Sequence, residues 1–256
     1  MLVSRMHKID GNLFRNVNKT VTKYFVILLI FTFECQVLLA QNINATSQLN
    51  NDTIAHPIET KPRYLQPGTL VIPGTFLIYA GLKPFIKGIE KLDDTIYTNI
   101  KTNHAGFHTN AEDYLMWAPS ASLYFLDACK VKTKHNFKEH LVLDAGSIII
   151  AGGVGYAMRL ISRNINVYKT YGTKFPSGHT ANAFRSAELF HQELKDNNKL
   201  ISYSGYVVAT AVGVLRIYNK DHLLTEVLAG AGLGILSTKL TYWIFDKVKD
   251  KKKQID

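Results

Sequence analysis

Cysteine is nearly absent. Cys35 and Cys129 are the only two in 256 residues. Cys35 falls in an N-terminal segment that reads as a signal, so no intrachain disulfide staples the fold. Cys129 follows Leu126-Asp127-Ala128 and is expected in the core rather than as a nucleophile. Regular apolar–polar alternation is missing too, which argues against a sheet-built domain. No internal repeat is visible, so a repeat array is excluded. Long apolar runs are scarce. A spanning helix needs roughly 20 mostly apolar residues, and only Leu141–Ile161 and Val227–Phe245 approach that, interrupted by Asp144 and Lys239. The basic excess has no focus that would select nucleic acid; evenly spread lysines read as a solvated surface.

The first 40 residues stand apart. Arg5, Lys8, Arg15, Lys19 and Lys23 form a basic region ahead of the apolar run Tyr24–Ala40, which ends Leu38-Leu39-Ala40 before Gln41. That is the layout of an export signal, residues 1–40. The basic region is long, which leaves an uncleaved membrane anchor as the alternative. Cys35 lacks the small residues of a lipoprotein box. Without five basic and two acidic residues of this segment, the formal charge of +10 becomes +7. Residues 41–62, rich in Asn, Thr and Gln, read as a flexible leader. A helical domain is expected over 63–246 and a basic tail over 247–256.

Within that domain the apolar segments Tyr114–Ala128, Leu141–Ile161, Leu200–Tyr218 and Val227–Phe245 are helical in length and in Ala/Leu/Gly content. Phe85, Ile86, Ile89, Leu92 and Ile96 share one face of a further helix. The fold class expected is all-α, a helical bundle. Two settings fit it. Lys130 to Lys138, Lys195 with Lys199, and Lys247 to Lys253 would gather at one side of the bundle, opposite the two motifs described next, as in a membrane protein obeying the positive-inside rule. Against this, Asn182–Glu193 is too polar to face lipid, which favours a soluble periplasmic bundle.

Two motifs carry the chemistry. In Phe175-Pro176-Ser177-Gly178-His179, proline suits a first helical turn, Ser177 can cap, and Gly178 admits a ligand close to the backbone. A helix N-terminus favours phosphate, with His179 beside it as a proton donor. Downstream, Arg216 ends one helix, Tyr218-Asn219-Lys220-Asp221 turns, and His222 opens the next, four residues before Glu226. The carboxylate can hold one imidazole nitrogen and leave the other to attack phosphorus, while Arg216 offers a forked donor to phosphate oxygens. About 40 residues and one apolar helix separate the motifs. His104, His108, Glu112 and Asp113 lie in a polar stretch and read as solvated surface rather than a metal site. His135 and His140 read as surface in a basic loop.

These residues resemble the type 2 phosphatidic acid phosphatase and vanadium haloperoxidase superfamily, over roughly Tyr114 to Phe245, with an affinity to exported Bacteroidetes-like members. The resemblance rests on Phe175-Pro176-Ser177-Gly178-His179-Thr180-Ala181, on Arg216-Ile217-Tyr218-Asn219-Lys220-Asp221-His222, and on Glu226 to Gly232. It implies a nucleophile at His222 that forms a phosphohistidine and an acid at His179. It implies phosphate binding by Ser177, the Gly178 amide and Arg216, and no metal or cofactor. Its expected substrates are a phosphorylated lipid or a small phosphate ester, met on the periplasmic side of the cell envelope.

Two departures from the family pattern stand out. Asn166-Val167 occupies the place of an upstream Arg-Pro, so one phosphate-binding arginine of the family is missing, and Arg159 stands where a lysine is usual, for which the resemblance implies the lysine's phosphate-binding role. Arg163, Lys169 and Lys174 are further cations nearby. Glu226 replaces an aspartate. Losing one contact to a transition-state oxyanion commonly costs roughly 3 kcal/mol, or 10²–10³ in rate. The sequence therefore expects an envelope phosphatase acting on a phosphomonoester or pyrophosphate, lipid-linked by preference. The alternatives are a degenerate phosphate-binding protein and, further off, a vanadate-dependent haloperoxidase.

Overall fold

The computed structural model describes residues 64–163, 171 and 174–253. The expected signal and leader, Asn166-Val167, Lys169 and the last three residues lie outside them. Among the described residues the chain is all-helical: α1 Pro67–Gly81, α2 Lys87–Asn103, α3 Ala111–Leu115, α4 Ala118–Ala128, α5 Phe137–Ser162, α6 Gly178–Leu194, α7 Lys199–Ser202, α8 Ser204–Tyr218 and α9 Leu224–Lys253. The expected basic tail is no separate element, since α9 runs on through Lys253.

A polar helix is the centre of the bundle. α6 packs against α9, α8, α4 and α5, and most of its residues are buried, Arg185, Glu188 and Glu193 among them. A buried charge needs a partner, and the charges that interrupt the apolar runs of the flanking helices supply them. Arg185 pairs with Asp144 of α5, and Glu188 pairs with Lys239 of α9 at 2.8 Å. The polarity of Asn182–Glu193 is thus turned inward, away from any lipid.

The outside is apolar instead. Phe137–Ser162, Lys199–Tyr218 and Leu224–Lys252 are long and apolar enough to cross a membrane, and only 17% of the α5 window is covered by protein. Ile149 and Ile161 on α5 and Val207 on α8 are exposed, as a lipid-facing surface would be. The basic clusters converge as expected. Lys134 N–H donates to the Glu193 carbonyl at the end of α6, and Lys249 near the end of α9 reaches Glu139 at the start of α5, at 2.7 Å.

Close packing of α6 on α9 depends on Gly230 and Gly234. A Cβ at Gly230 would lie 2.5 Å from the Ser177 carbonyl oxygen, and one at Gly234 would lie 2.2 Å from that of Ala181. Two glycines four apart let one backbone touch another, as small residues do between membrane helices.

Several expectations need correction. Ile89 and Ile100 of α2 are buried together with Asp93, whereas Phe85, Ile86 and Leu92 are exposed. Of the expected stripe, Ile89 and half-buried Ile96 lie on the packed face, whereas Phe85 and Ile86 precede the helix and Leu92 faces outward. Cys129 is exposed, because it is the C-cap of α4 at a helix end. His135 and His140 are not surface residues. His140 is fully buried between Asp127 (2.7 Å) and Glu193 (3.0 Å), and His135 joins the same Glu193 at 2.8 Å.

Candidate active site

The two motifs meet at the end of the bundle opposite the basic clusters. Ser177 is the N-cap of α6, its hydroxyl facing the Thr180 amide. Pro176 precedes the cap rather than occupying the first turn. The Ser177 side chain is fully buried and bonded to the Thr180 hydroxyl at 2.9 Å, so it shapes the helix start from within. Gly178 opens α6, and a Cβ there would meet nothing within 4 Å.

The turn after α8 forms as expected. The amides of Asp221 and His222 both donate to the Arg216 carbonyl, at 3.1 and 3.3 Å, with Lys220 at φ 64° between the helices. His222 stands two residues ahead of α9. Its Nδ1 lies 2.8 Å from Glu226 Oε2, with the histidine nearly buried and the carboxylate wholly so. The longer glutamate side chain thus reaches its partner. The N-terminus of α9 is pinned by α2, where Asp93 accepts from the Thr225 amide (3.1 Å) and hydroxyl (2.6 Å). Asp93 is itself paired with buried Lys83 at 2.8 Å.

A single open cavity of about 420 Å³ brings together Arg159, Lys174, Gly178, His179, Arg216 and His222, with Trp117 at its side. Arg159 reaches it from the end of α5, so one cation of the degenerate upstream region lines the same cavity as His222. Among the described residues, the buried Nε atoms of Arg159 and Arg216 have no hydrogen-bond partner. Arg163, the C-cap of α5, is exposed. Ser177 and Glu226 stand behind the wall, the first holding the helix start and the second holding His222.

A short segment that sequence reasoning set aside completes the site. Glu112 of α3 is buried and accepts from Arg216 Nη1 at 3.1 Å, and Asp221 takes the same nitrogen at 3.1 Å. The next residue, Asp113, lies 2.8 Å from His179 Nε2. Asn219 bolts this segment to the turn, accepting from the Thr109 amide (3.0 Å) and donating to its carbonyl (2.8 Å). Lys220 Nζ adds hydrogen bonds to the Ala105 and Phe107 carbonyls, both at 3.1 Å. Adjacent acids in a polar stretch carry no periodic signal, and their partners lie 66 and 104 residues away, so local pattern could not find them.

The all-α bundle thus brings both motifs to one cationic pocket. Residues 132–250, which carry both motifs, match the family model described as PAP2 superfamily, and the resemblance read from the sequence holds. A lipid A 1-phosphatase of Porphyromonas gingivalis is 29% identical over 235 residues, covering 88% of this chain. The chain spans about half (51%) of the length of that relative. Among solved structures, a transmembrane PAP2 type phosphatidylglycerolphosphate phosphatase from Bacillus subtilis aligns at 18% identity and a TM-score of 0.38, over 69% of this chain and 97% of that one.

Proposed function

We propose that this protein is a cell-envelope phosphatase that releases phosphate from a phosphorylated lipid through a phosphohistidine at His222. The observation that carries the reading is the buried His222–Glu226 pair opening on the same cavity as His179, Arg159 and Arg216. The carboxylate at Nδ1 leaves Nε2 as the attacking atom. The Nε2 lone pair forms a bond to phosphorus as the bond from phosphorus to the leaving oxygen breaks, and His179 gives that oxygen its proton. A water then attacks the phosphohistidine and passes a proton to His179, which frees inorganic phosphate and restores His222. Arg159, Arg216 and the amides at the start of α6 face the oxygens whose charge grows in each step, with Lys174 at the rim. Ser177 contributes by holding that helix start.

A lipid substrate is favoured by the three helices of membrane-spanning character and by likeness to a protein named as a lipid A 1-phosphatase. A phospholipid, a polyprenyl pyrophosphate and a lipid A phosphate all fit. With the basic clusters cytoplasmic, the cavity opens on the periplasmic side.

The test uses full-length protein in detergent with an aryl phosphate and with phosphorylated lipids. Phosphate release is expected from wild type and is abolished in His222→Ala, and a brief incubation with labelled substrate leaves acid-labile label on wild type only. Equal background release from both proteins on every substrate rules the proposal out.

A further inference from the structure

The reaction above assigns no task to α3, yet its two acids touch one residue of each motif. Glu112 holds Arg216, and Asp113 lies 2.8 Å from His179 Nε2. We infer that Asp113 is a positioning residue for His179, holding one imidazole nitrogen so that the other is presented to the leaving oxygen. The inference rests on the reading of His179 as the proton donor.

The geometry favours orientation over stability as the purpose of this contact. His179 and Asp113 are 31% and 49% exposed, and an ion pair so open to water adds little to folding. An imidazole at the second position of a helix is nevertheless free to rotate about two bonds, and only one orientation serves proton transfer. Asp113 is well placed to select it, because α3 is not a loose loop. Glu112 is buried beside it, and Asn219 and Lys220 tie residues 105–112 to the turn between α8 and α9. The proton donor is thereby referenced to the same turn that carries His222. The contact is one that no spacing within either motif encodes.

Leaving-group chemistry separates this role from a structural one. A leaving oxygen of low basicity departs with little help from an acid, whereas an alkoxide needs its proton in the transition state. kcat and KM are to be measured for full-length wild type, Asp113→Ala and Asp113→Glu on p-nitrophenyl phosphate and on a simple alkyl phosphate. Positioned proton transfer contributes about 10²–10⁴ in rate, and losing the orienting carboxylate should remove roughly 10-fold or more of it on the alkyl phosphate. The losses are read on kcat/KM, which reports formation of the phosphohistidine and not its hydrolysis, and the one on p-nitrophenyl phosphate is expected to be less than about 3-fold, with partial recovery in Asp113→Glu. Equal losses on the two substrates, or no loss on either, overturn the inference while leaving the phosphatase reading intact. A wild type inactive on both substrates and on phosphorylated lipids overturns the phosphatase reading, and this one with it.

Discussion

The backbone carbonyl of Glu226 accepts the Ser177 amide hydrogen at 3.0 Å, while the Glu226 carboxylate holds His222 Nδ1 at 2.8 Å. One residue therefore joins the two motifs twice, through its main chain to the start of α6 and through its side chain to the candidate nucleophile. Both motifs are thereby fixed to the first turn of α9.

Glu226 should accordingly act through His222. Glu226→Gln keeps the shape but removes the charge that stabilises the imidazolium, and kcat is expected to fall by about 10²-fold or more, as when the acid of a hydrolase triad is neutralised. Glu226→Asp shortens the reach and should retain more activity than Glu226→Gln. Steady-state kinetics on an aryl phosphate rank the three, and Glu226→Gln at wild-type rate would refute the assignment.

Asp93 should matter for folding at a distance from the chemistry. Asp93→Ala breaks the buried ion pair with Lys83 and removes the contacts at the Thr225 amide and hydroxyl. Breaking a buried pair from one side costs about 3–5 kcal/mol. Thermal unfolding in detergent should show a large drop in Tm, with Lys83→Met combined with Asp93→Leu recovering part of it.

Gly230 and Gly234 should tolerate nothing larger. A Cβ at either position meets main-chain oxygen of α6, which cannot rotate away. Gly234→Ala is expected to push the helices apart, with overpacking of about 1–3 kcal/mol or more. Gly152→Ala, where nothing lies within 4 Å of an added Cβ, is the control. Folded yield and Tm of the two variants should differ clearly.

Acid should loosen the opposite end of the bundle. Burial alone would raise the Glu193 carboxyl, but hydrogen bonds from His135 and His140 outweigh it and hold the group well below the usual carboxylate range. A carboxyl depressed by folding contributes stability that is fully present above its unfolded value, about 4.3. That contribution is lost as pH falls from there through the folded value. Wild type should lose Tm steeply below about pH 4.3, and Glu193→Gln should begin lower and fall less steeply in that window. A Glu193→Gln profile parallel to wild type would contradict this.

The sequence by itself determined the helical class and the pairing of His222 with Glu226. Both follow from local spacing: helices from composition and period, and the pair from residues one turn apart. The place of Arg159 on the cavity was implied by the family resemblance, and the gathering of basic clusters at one end was legible too. The burial of α6 was not. Its charges look like a solvated face until Asp144 and Lys239, on helices far apart in the chain, are found opposite Arg185 and Glu188. Likewise Glu112 and Asp113 read as surface, and His140 as loop, because a lone polar residue announces nothing about its partner. Only tertiary structure decided these. Burying a charge is tolerable only where an opposite charge arrives from elsewhere in the chain, and that arrival is a property of packing with no local trace in the sequence.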